Sequence, residues 1–308
     1  MENPREEHQY HHSTLLIFVI LCLLSSSISA NDESYHVKEE EEFDYIEGSK
    51  RGPEHWGNLK QEWTKCKDGT IQSPIPLSKE IAKLNKDLGQ LNRSYKPGNA
   101  TLKKNGHHIA VEWTKNVGSI QINGTNYLLQ RCHWHHPSEH IINGERFDLE
   151  LHMVHVANSS NKLNKMAVVA LLFRFGPPNP FISKIADNLK LLDEGNRERE
   201  VGSLDPLDAI NKTDHGQNKN YYTYIGSLTT PPCSEPVIWT VMEQISSVSP
   251  AQVSLLRRIV DKGAKMNSRP LQEINHRGVF FYDSSSEAKI NSGSKNLYQR
   301  EIVAVTSN

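Results

Sequence analysis

Charge of one sign is what this sequence lacks: 35 Lys and Arg stand against 36 Asp and Glu in 308 residues, a net charge of −1. That balance excludes a nucleic-acid coat and a polybasic membrane binder, which both need a basic field. Cysteine is scarce, at 4 residues, too few for a disulfide-dense miniature scaffold. Gly (18) and Pro (15) are at ordinary levels, so the chain is neither collagenous nor wholly disordered. Long apolar runs are missing too. The one at residues 15–24 (LLIFVILCLL) has ten residues, half of the about 20 that a bilayer span needs. The length fits one large domain or two ordinary ones. What the chain has in excess is histidine, at 15.

The apolar run is followed by small residues up to Ala30 and then by the polar Asn31-Asp32-Glu33. This is the pattern of a secretory signal peptide at residues 1–30, although only Arg5 precedes it, against Glu2, Glu6 and Glu7. Cleavage removes that one base and those three acids and leaves a mature net charge of +1. No second such run follows, so no stable membrane anchor is expected. The expected location is the secretory pathway, extracellular or apoplastic, with a plastid reached by that route as the other destination. Five Asn-x-Ser/Thr sequons, at Asn92, Asn99, Asn123, Asn158 and Asn211, agree with secretion. Cys22 leaves with the signal peptide. Cys66, Cys132 and Cys233 remain, an odd number that allows at most one internal pair.

Residues 31–52 are acidic and polar and read as a disordered lead-in. One globular domain is expected over residues 53–283, followed by a polar tail at 284–308. Residues 109–113, 119–122 and 147–154 alternate apolar and polar and are flanked by Asn105-Gly106, Asn123-Gly124 and Asn143-Gly144. Such pairs mark hairpins, hence antiparallel strands. Residues 166–175 (MAVVALLFRF), apolar but for Arg174, form a run that suits a central strand buried on both faces. Helical patterns are few, at residues 182–192 and 250–261. The fold class is therefore mainly β (α+β): one large twisted, mostly antiparallel sheet with a few short peripheral helices.

Six of the fifteen histidines fall between positions 133 and 155. On a strand, residues two apart share a face, so His133 and His135 project together. Glu150, His152 and Val154 share a face on the next strand, and antiparallel pairing puts His152 beside the first two. Three converging imidazoles with a fourth position left for water form a zinc site. The alternative is surface or satisfied core histidines. His136 and His140 need no role, and His155 has the parity to face away. His133-x-His135-x-x-x-Glu139 also matches the first metal motif of the cupins, in which Glu139 is a ligand. The cupin pattern expects a Gly…Pro-x-Gly approach to its last histidine, and the residues before His152 have none.

Far downstream, Tyr224-Ile-Gly226-Ser-Leu228-Thr229-Thr230-Pro231-Pro232-Cys233 fixes an irregular loop with two hydroxyls at its middle. Together with His-Trp-His-x-Pro-Ser-Glu-His and Glu-Leu-His-Met-Val-His, it closely resembles the α-class carbonic anhydrases, and the plant branch most. The resemblance runs from about His55 to Arg277, with further matches at Gln72-Ser73-Pro74, Asn105-Gly106-His107 and Asn267-Ser-Arg269-Pro270. It implies His133, His135 and His152 as ligands of Zn2+, the cofactor. Glu150 would accept the free N–H of His152. Thr229 would accept from zinc-bound hydroxide and donate to Glu139. Val154, Val168, Leu228 and Trp239 would form the apolar wall for carbon dioxide, with Thr230 and Asn105 on the polar side. His107 would be the proton shuttle. The implied reaction is the reversible hydration of carbon dioxide to bicarbonate and a proton. Carbon dioxide and bicarbonate are then the small-molecule partners, nucleic acid is not one, and the oligomeric state is left open. Cys66 and Cys233 match the disulfide of secreted members, leaving Cys132 as a spare thiol facing away from the metal.

Three positions depart from the family pattern. Asn58 follows Trp56-Gly57 where animal members have a tyrosine after a Trp-Gly. Ala110 stands where Asn is frequent. Arg131 replaces a Gln that accepts the free N–H of the first ligand. A guanidinium has no acceptor, and Gln130 is on the wrong face unless the strand bulges. Weaker zinc retention or lower activity is therefore expected. Some relatives of this kind are storage or binding proteins with weak or no activity, and that is the alternative class. Intact His133, His135, His152, Glu139, Thr229 and His107 argue for the enzyme.

Overall fold

A computed structural model of the chain describes residues 42–157, 165–210 and 220–285. The expected signal peptide, residues 31–41, the sequons at Asn158 and Asn211, and the tail from 286 onward lie outside the described residues.

Ten strands matter for the site: β1 (Gly98–Lys104), β2 (Ile109–Trp113), β3 (Ser119–Ile122), β4 (Thr125–His135), β5 (Leu149–Ala157), β6 (Met166–Phe175), β7 (Glu198–Leu204), β8 (Tyr221–Gly226), β9 (Val237–Val248) and β10 (Val279–Tyr282). They belong to a 12-stranded sheet in the order β7-β1-β2-β4-β5-β6-β9-β8-β10, with Lys83–Leu84 at the β10 edge and β3 beside β4. Its pairs are antiparallel except β6 with β9 and β10 with Lys83–Leu84. Hairpin chemistry explains the turns. Asn123 and Gly124 between β3 and β4 have φ of 49° and 76°, and Asn143 and Gly144 have 52° and 80°. Both central residues of a type I′ turn need positive φ, which Asn and Gly tolerate best.

Alternation along the strands sorts side chains onto two faces. Leu102, Val111, Cys132, Met153 and Val169 stand opposite one another across β1, β2, β4, β5 and β6. They join the larger core with α1 (Pro180–Asp193) and α2 (Pro250–Ile259). In α1 the buried residues are Phe181, Ile182, Ile185, Leu189 and Leu192, one stripe at helical spacing. Asn179 caps α1, and Ser249 with Gln252 forms a capping box on α2. The opposite face carries Val154, Val168, Ala170, Trp239, Tyr224 and Val241 in a second core. The candidate ligands open onto this second face.

The expected lead-in, residues 31–52, overlaps the described residues at 42–52. Residues 42–52 are packed: Phe43 and Asp44 are buried, and the Tyr45 N–H bonds to the Gly263 carbonyl at 2.9 Å. Phe43 sits edge-on to Trp56 and Trp63, at 5.1 and 5.8 Å between centroids. Acidic composition marks residues 31–52 as a block, but two aromatics inside it find apolar partners. Ser284 is also held, its N–H bonding to Asn220 at 3.0 Å. Cys66 and Cys233 form a disulfide closing 167 residues, and Cys132 is a buried free thiol. The sequons at Asn92, Asn99 and Asn123 are exposed.

Candidate metal centre

The register of β4 and β5 sets His152 directly opposite His133 and Glu150 opposite His135. The three imidazole centroids are 5.0, 5.2 and 4.5 Å apart. One nitrogen from each ring lies within 4.8 Å of the other two. All three side chains are buried.

Each ring is aimed by a partner on its far side. His135 Nδ1 donates to the Asn267 carbonyl at 2.7 Å, which leaves Nε2, buried and without a hydrogen-bond partner. His152 Nε2 donates to Glu150 at 2.7 Å, which leaves Nδ1. A buried nitrogen lone pair without a partner is costly, and facing two further imidazoles it fits a cation. Burial pushes the pKa values of His133, His135 and His152 down, which favours the neutral rings that a metal requires.

Glu150 anchors more than His152. Its Oε1 also accepts from His140 Nδ1 at 2.6 Å, and its Oε2 accepts the N–H groups of Glu139 and His140, each at 2.8 Å. Burial alone would raise its pKa, yet His140, His152 and their hydrogen bonds hold it well below the usual carboxylate range. His140 Nε2 is hydrogen-bonded to the Tyr224 hydroxyl at 2.8 Å, which lies 3.0 Å from the Ser73 hydroxyl. His140 therefore has a structural role that parity alone did not reveal. Asn267 is another such residue. Besides holding His135, it accepts the His136 N–H and donates to the Trp134 and His107 carbonyls. His136 itself is buried, and burial pushes it down to about 4.

Glu139 is buried beside the ligands, with Oε1 accepting the Arg269 N–H at 2.9 Å. Burial pushes its carboxyl up to about 7, against the pull of His152. The Thr229 hydroxyl faces it and favours the ionised form, although Oε2 has no partner within bonding distance. Val154, Val168 and Trp239 stand side by side across β5, β6 and β9. The Trp239 ring is 4.8 Å from that of His152. Leu228 packs on the same cluster, and Thr230 is half-buried on the same loop. The structure thus brings His133, His135, His152, Glu139, Thr229, Val154, Val168 and Trp239 together.

His107 lies differently. Its ring stacks on Phe43 at 3.7 Å, and its Nε2 donates to the Phe43 carbonyl at 2.6 Å. It leans on the N-terminal segment instead of on the three ligands. Asn58 is exposed and accepts from Lys67 at 3.4 Å. The tyrosine of this region is Tyr45, whose ring is 6.3 Å from His107. Burial first, and then Glu139, push its pKa well up. His155 faces away, as its parity predicts, bonding to the Tyr95 hydroxyl at 2.7 Å. Strand β4 does bulge: Val154 pairs with Arg131 but His155 with Leu129, leaving Gln130 unpaired. Gln130 nevertheless bonds back to the Leu128 carbonyl at 3.3 Å. Arg131 is exposed opposite Val154, and His133 Nδ1 is buried without a partner. Ala110 stands opposite His133.

A buried three-histidine cluster that could hold a metal, on one face of a large mixed sheet beside apolar side chains, marks a mainly β protein with a candidate metal centre. Its family follows from comparison. The family model described as eukaryotic-type carbonic anhydrase matches residues 51–283. The chain is 45% identical over 247 residues to alpha carbonic anhydrase 7 of Arabidopsis thaliana, covering 80% of this chain and 86% of that one. It is 44% identical over 245 residues to dioscorin DB3L of Dioscorea polystachya, covering 79% and 87%. A crystal structure of dioscorin complexed with ascorbate superposes with a TM-score of 0.74 at 42% identity, covering 82% of this chain and 100% of that one. The chain belongs to the eukaryotic-type carbonic anhydrase family.

Proposed function

We propose that this chain is a zinc-dependent carbonic anhydrase that hydrates carbon dioxide reversibly to bicarbonate and a proton. The observation that carries the reading is the convergence of His133, His135 and His152 beside Val154, Val168 and Trp239, with His135 Nε2 buried and unpaired. Three neutral imidazoles suit zinc and leave its fourth position open. Zinc, when bound, lowers the pKa of a coordinated water to about 7, an effect for which carbonic anhydrases are the reference case.

The chain's own residues do the rest. Asn267 and Glu150 hold two of the rings in place, so little reorganises when metal enters. Ionised Glu139 only accepts, so the Thr229 proton points to it and the Thr229 oxygen is left to accept from the reacting oxygen. Val154, Val168, Leu228 and Trp239 exclude water and offer a neutral gas an apolar slot, with Thr230 and Asn105 on the polar side. His107 relays the proton outward. Its Nε2–H is tied to Phe43, so Nδ1 is the nitrogen that takes the proton.

A secreted, glycosylated protein of the extracellular space or apoplast is the matching location. The apolar run at residues 15–24, the Cys66–Cys233 disulfide and the exposed Asn92, Asn99 and Asn123 support it. Among the described residues no helix is long and apolar enough to cross a membrane.

A second reading is a binding protein on the same scaffold, favoured by the dioscorin structure that holds ascorbate. Metal content and carbon dioxide hydration, measured on wild type and Thr229→Ala, separate the two. The enzyme reading expects zinc in both and hydration lowered on the order of 100-fold in the variant. Full zinc without hydration in the wild type establishes the binding reading instead.

A further inference from the structure

Of the three departures from the family pattern, Arg131 alone introduces a charge. The sheet register shows where that charge goes. On β4 it lies two residues before His133, so both side chains leave the same face. Across the sheet it stands opposite Val154 of β5 and Glu112 of β2. Opposite residues of an antiparallel pair share a face, with Cβ atoms about 5 Å apart. Arg131 is therefore flanked by a histidine of the centre on its own strand and by the apolar wall on the next.

Its side chain is exposed, whereas His133 and Val154 are buried, so it stands at the rim of the centre. Positions two apart on a strand are about 6.7 Å apart, within the reach of an arginine side chain. Among the described residues Arg131 makes no hydrogen bond and no ion pair. The acid opposite it, Glu112, is taken by Lys103 at 2.8 Å. Lys103, Glu112 and Arg131 thus keep one unmatched positive charge. The field of Arg131 is felt in the cluster: burial first, then the neighbouring imidazoles and Arg131, push His133 well below the usual histidine range.

A guanidinium presents N–H donors in a planar fork that matches a carboxylate edge, and it has no acceptor. A free one at the rim of a site whose product is bicarbonate matches a small planar monoanion. We infer that Arg131 is the anion-binding residue of the site, its fork holding the carboxylate edge of bicarbonate, or of a similar monoanion, at the rim beside Val154. This rests on the carbonic anhydrase reading above. It gives Arg131 a second effect besides the missing acceptor, because the charge that disfavours a nearby cation attracts a nearby anion.

Nitrate is the probe, a planar monoanion with the shape of bicarbonate that does not react. Zinc-loaded wild type, Arg131→Met, Arg131→Glu and Arg131→Lys, each checked for metal content and folding, are titrated with nitrate at fixed ionic strength. Inhibition of carbon dioxide hydration gives the dissociation constant. Methionine removes the charge without giving His133 an acceptor, which keeps an effect through the ligand apart. The constant rises about 2–5-fold in Arg131→Met, the size of an exposed charge pair, rises further in Arg131→Glu, and stays within about twofold in Arg131→Lys. A second readout does not use activity. The side-chain Nε–H NMR signal of Arg131, identified by its absence in Arg131→Lys, moves to saturation with nitrate at lower concentration than the other arginine signals. Equal nitrate constants in wild type, Arg131→Met and Arg131→Glu overturn the proposal, as does an Arg131 signal that nitrate leaves in place. A wild type without zinc or hydration defeats the reading above instead. The NMR titration of the metal-free protein then decides on Arg131 by the same two outcomes.

Discussion

The two histidines of β5 face opposite sides of the sheet, and His155 gives the cleaner prediction. His152 faces the metal centre, whereas His155 is buried in the other face, with Nε2 accepting from Tyr95 at 2.7 Å and Nδ1 donating to the Ala167 carbonyl at 3.3 Å. Burial pushes its pKa from 6.5 down to about 3, with the Ala167 and Met153 backbones opposing weakly. The unfolded chain then binds one more proton than the folded chain between those two values. Stability contributed by this group is complete above pH 6.5 and is lost progressively as pH falls toward 3. At pH 5 the loss is about 1.4 kcal/mol per unit over about 1.5 units, or about 2 kcal/mol. His155→Gln keeps a donor and an acceptor but cannot titrate. Urea unfolding of the metal-free wild type and variant, followed by tryptophan fluorescence at pH 7, 6 and 5, measures the difference. The gap between them should shift by about 2 kcal/mol in favour of the variant from pH 7 to pH 5. Parallel pH profiles would refute the reasoning and mean that His155 charges without leaving the fold.

Three further outcomes follow from other parts of the structure. Phe43→Ala should cost about 3–5 kcal/mol in chemical unfolding, as a core residue does; a cost near zero would restore residues 42–52 to the disordered lead-in. Replacing both Cys66 and Cys233 with Ala should lower stability by about 5 kcal/mol, the chain-entropy value for a closed loop of 167 residues, read from the same denaturant curves at fixed pH. Glu150→Gln puts an amide where four N–H groups now converge on a carboxylate; zinc affinity should fall about 10–100-fold, and an unchanged chelator titration would contradict the anchoring role.

Much of the centre was legible because it is written in short periods. Strand alternation alone puts His133 with His135, and Glu150 with His152 and Val154, while turning Cys132 and His155 away. The Asn-Gly pairs mark the hairpins because positive φ is a local requirement, and the run at residues 166–175 marks the strand buried on both faces. The family wording then supplied the disulfide and the Thr229 loop.

Other features depend on contacts between distant segments, which no local period encodes. His140 resembled a bystander until Glu150 and Tyr224 were seen on its two nitrogens. Asn267 reaches His135 across 132 residues. Phe43 leaves an acidic stretch to stack on His107. Tyr45 stands beside His107 because its ring packs edge-on to Trp56. His108 beside His133 is the same kind of fact: β2 and β4 are neighbours through the sheet, which brings the two rings to 4.7 Å. By itself the sequence determined which side chains face the centre, since alternation is a property of one strand. Only the tertiary structure decided what stands behind each ligand, since a hydrogen-bond partner is a property of two segments brought together by the whole fold.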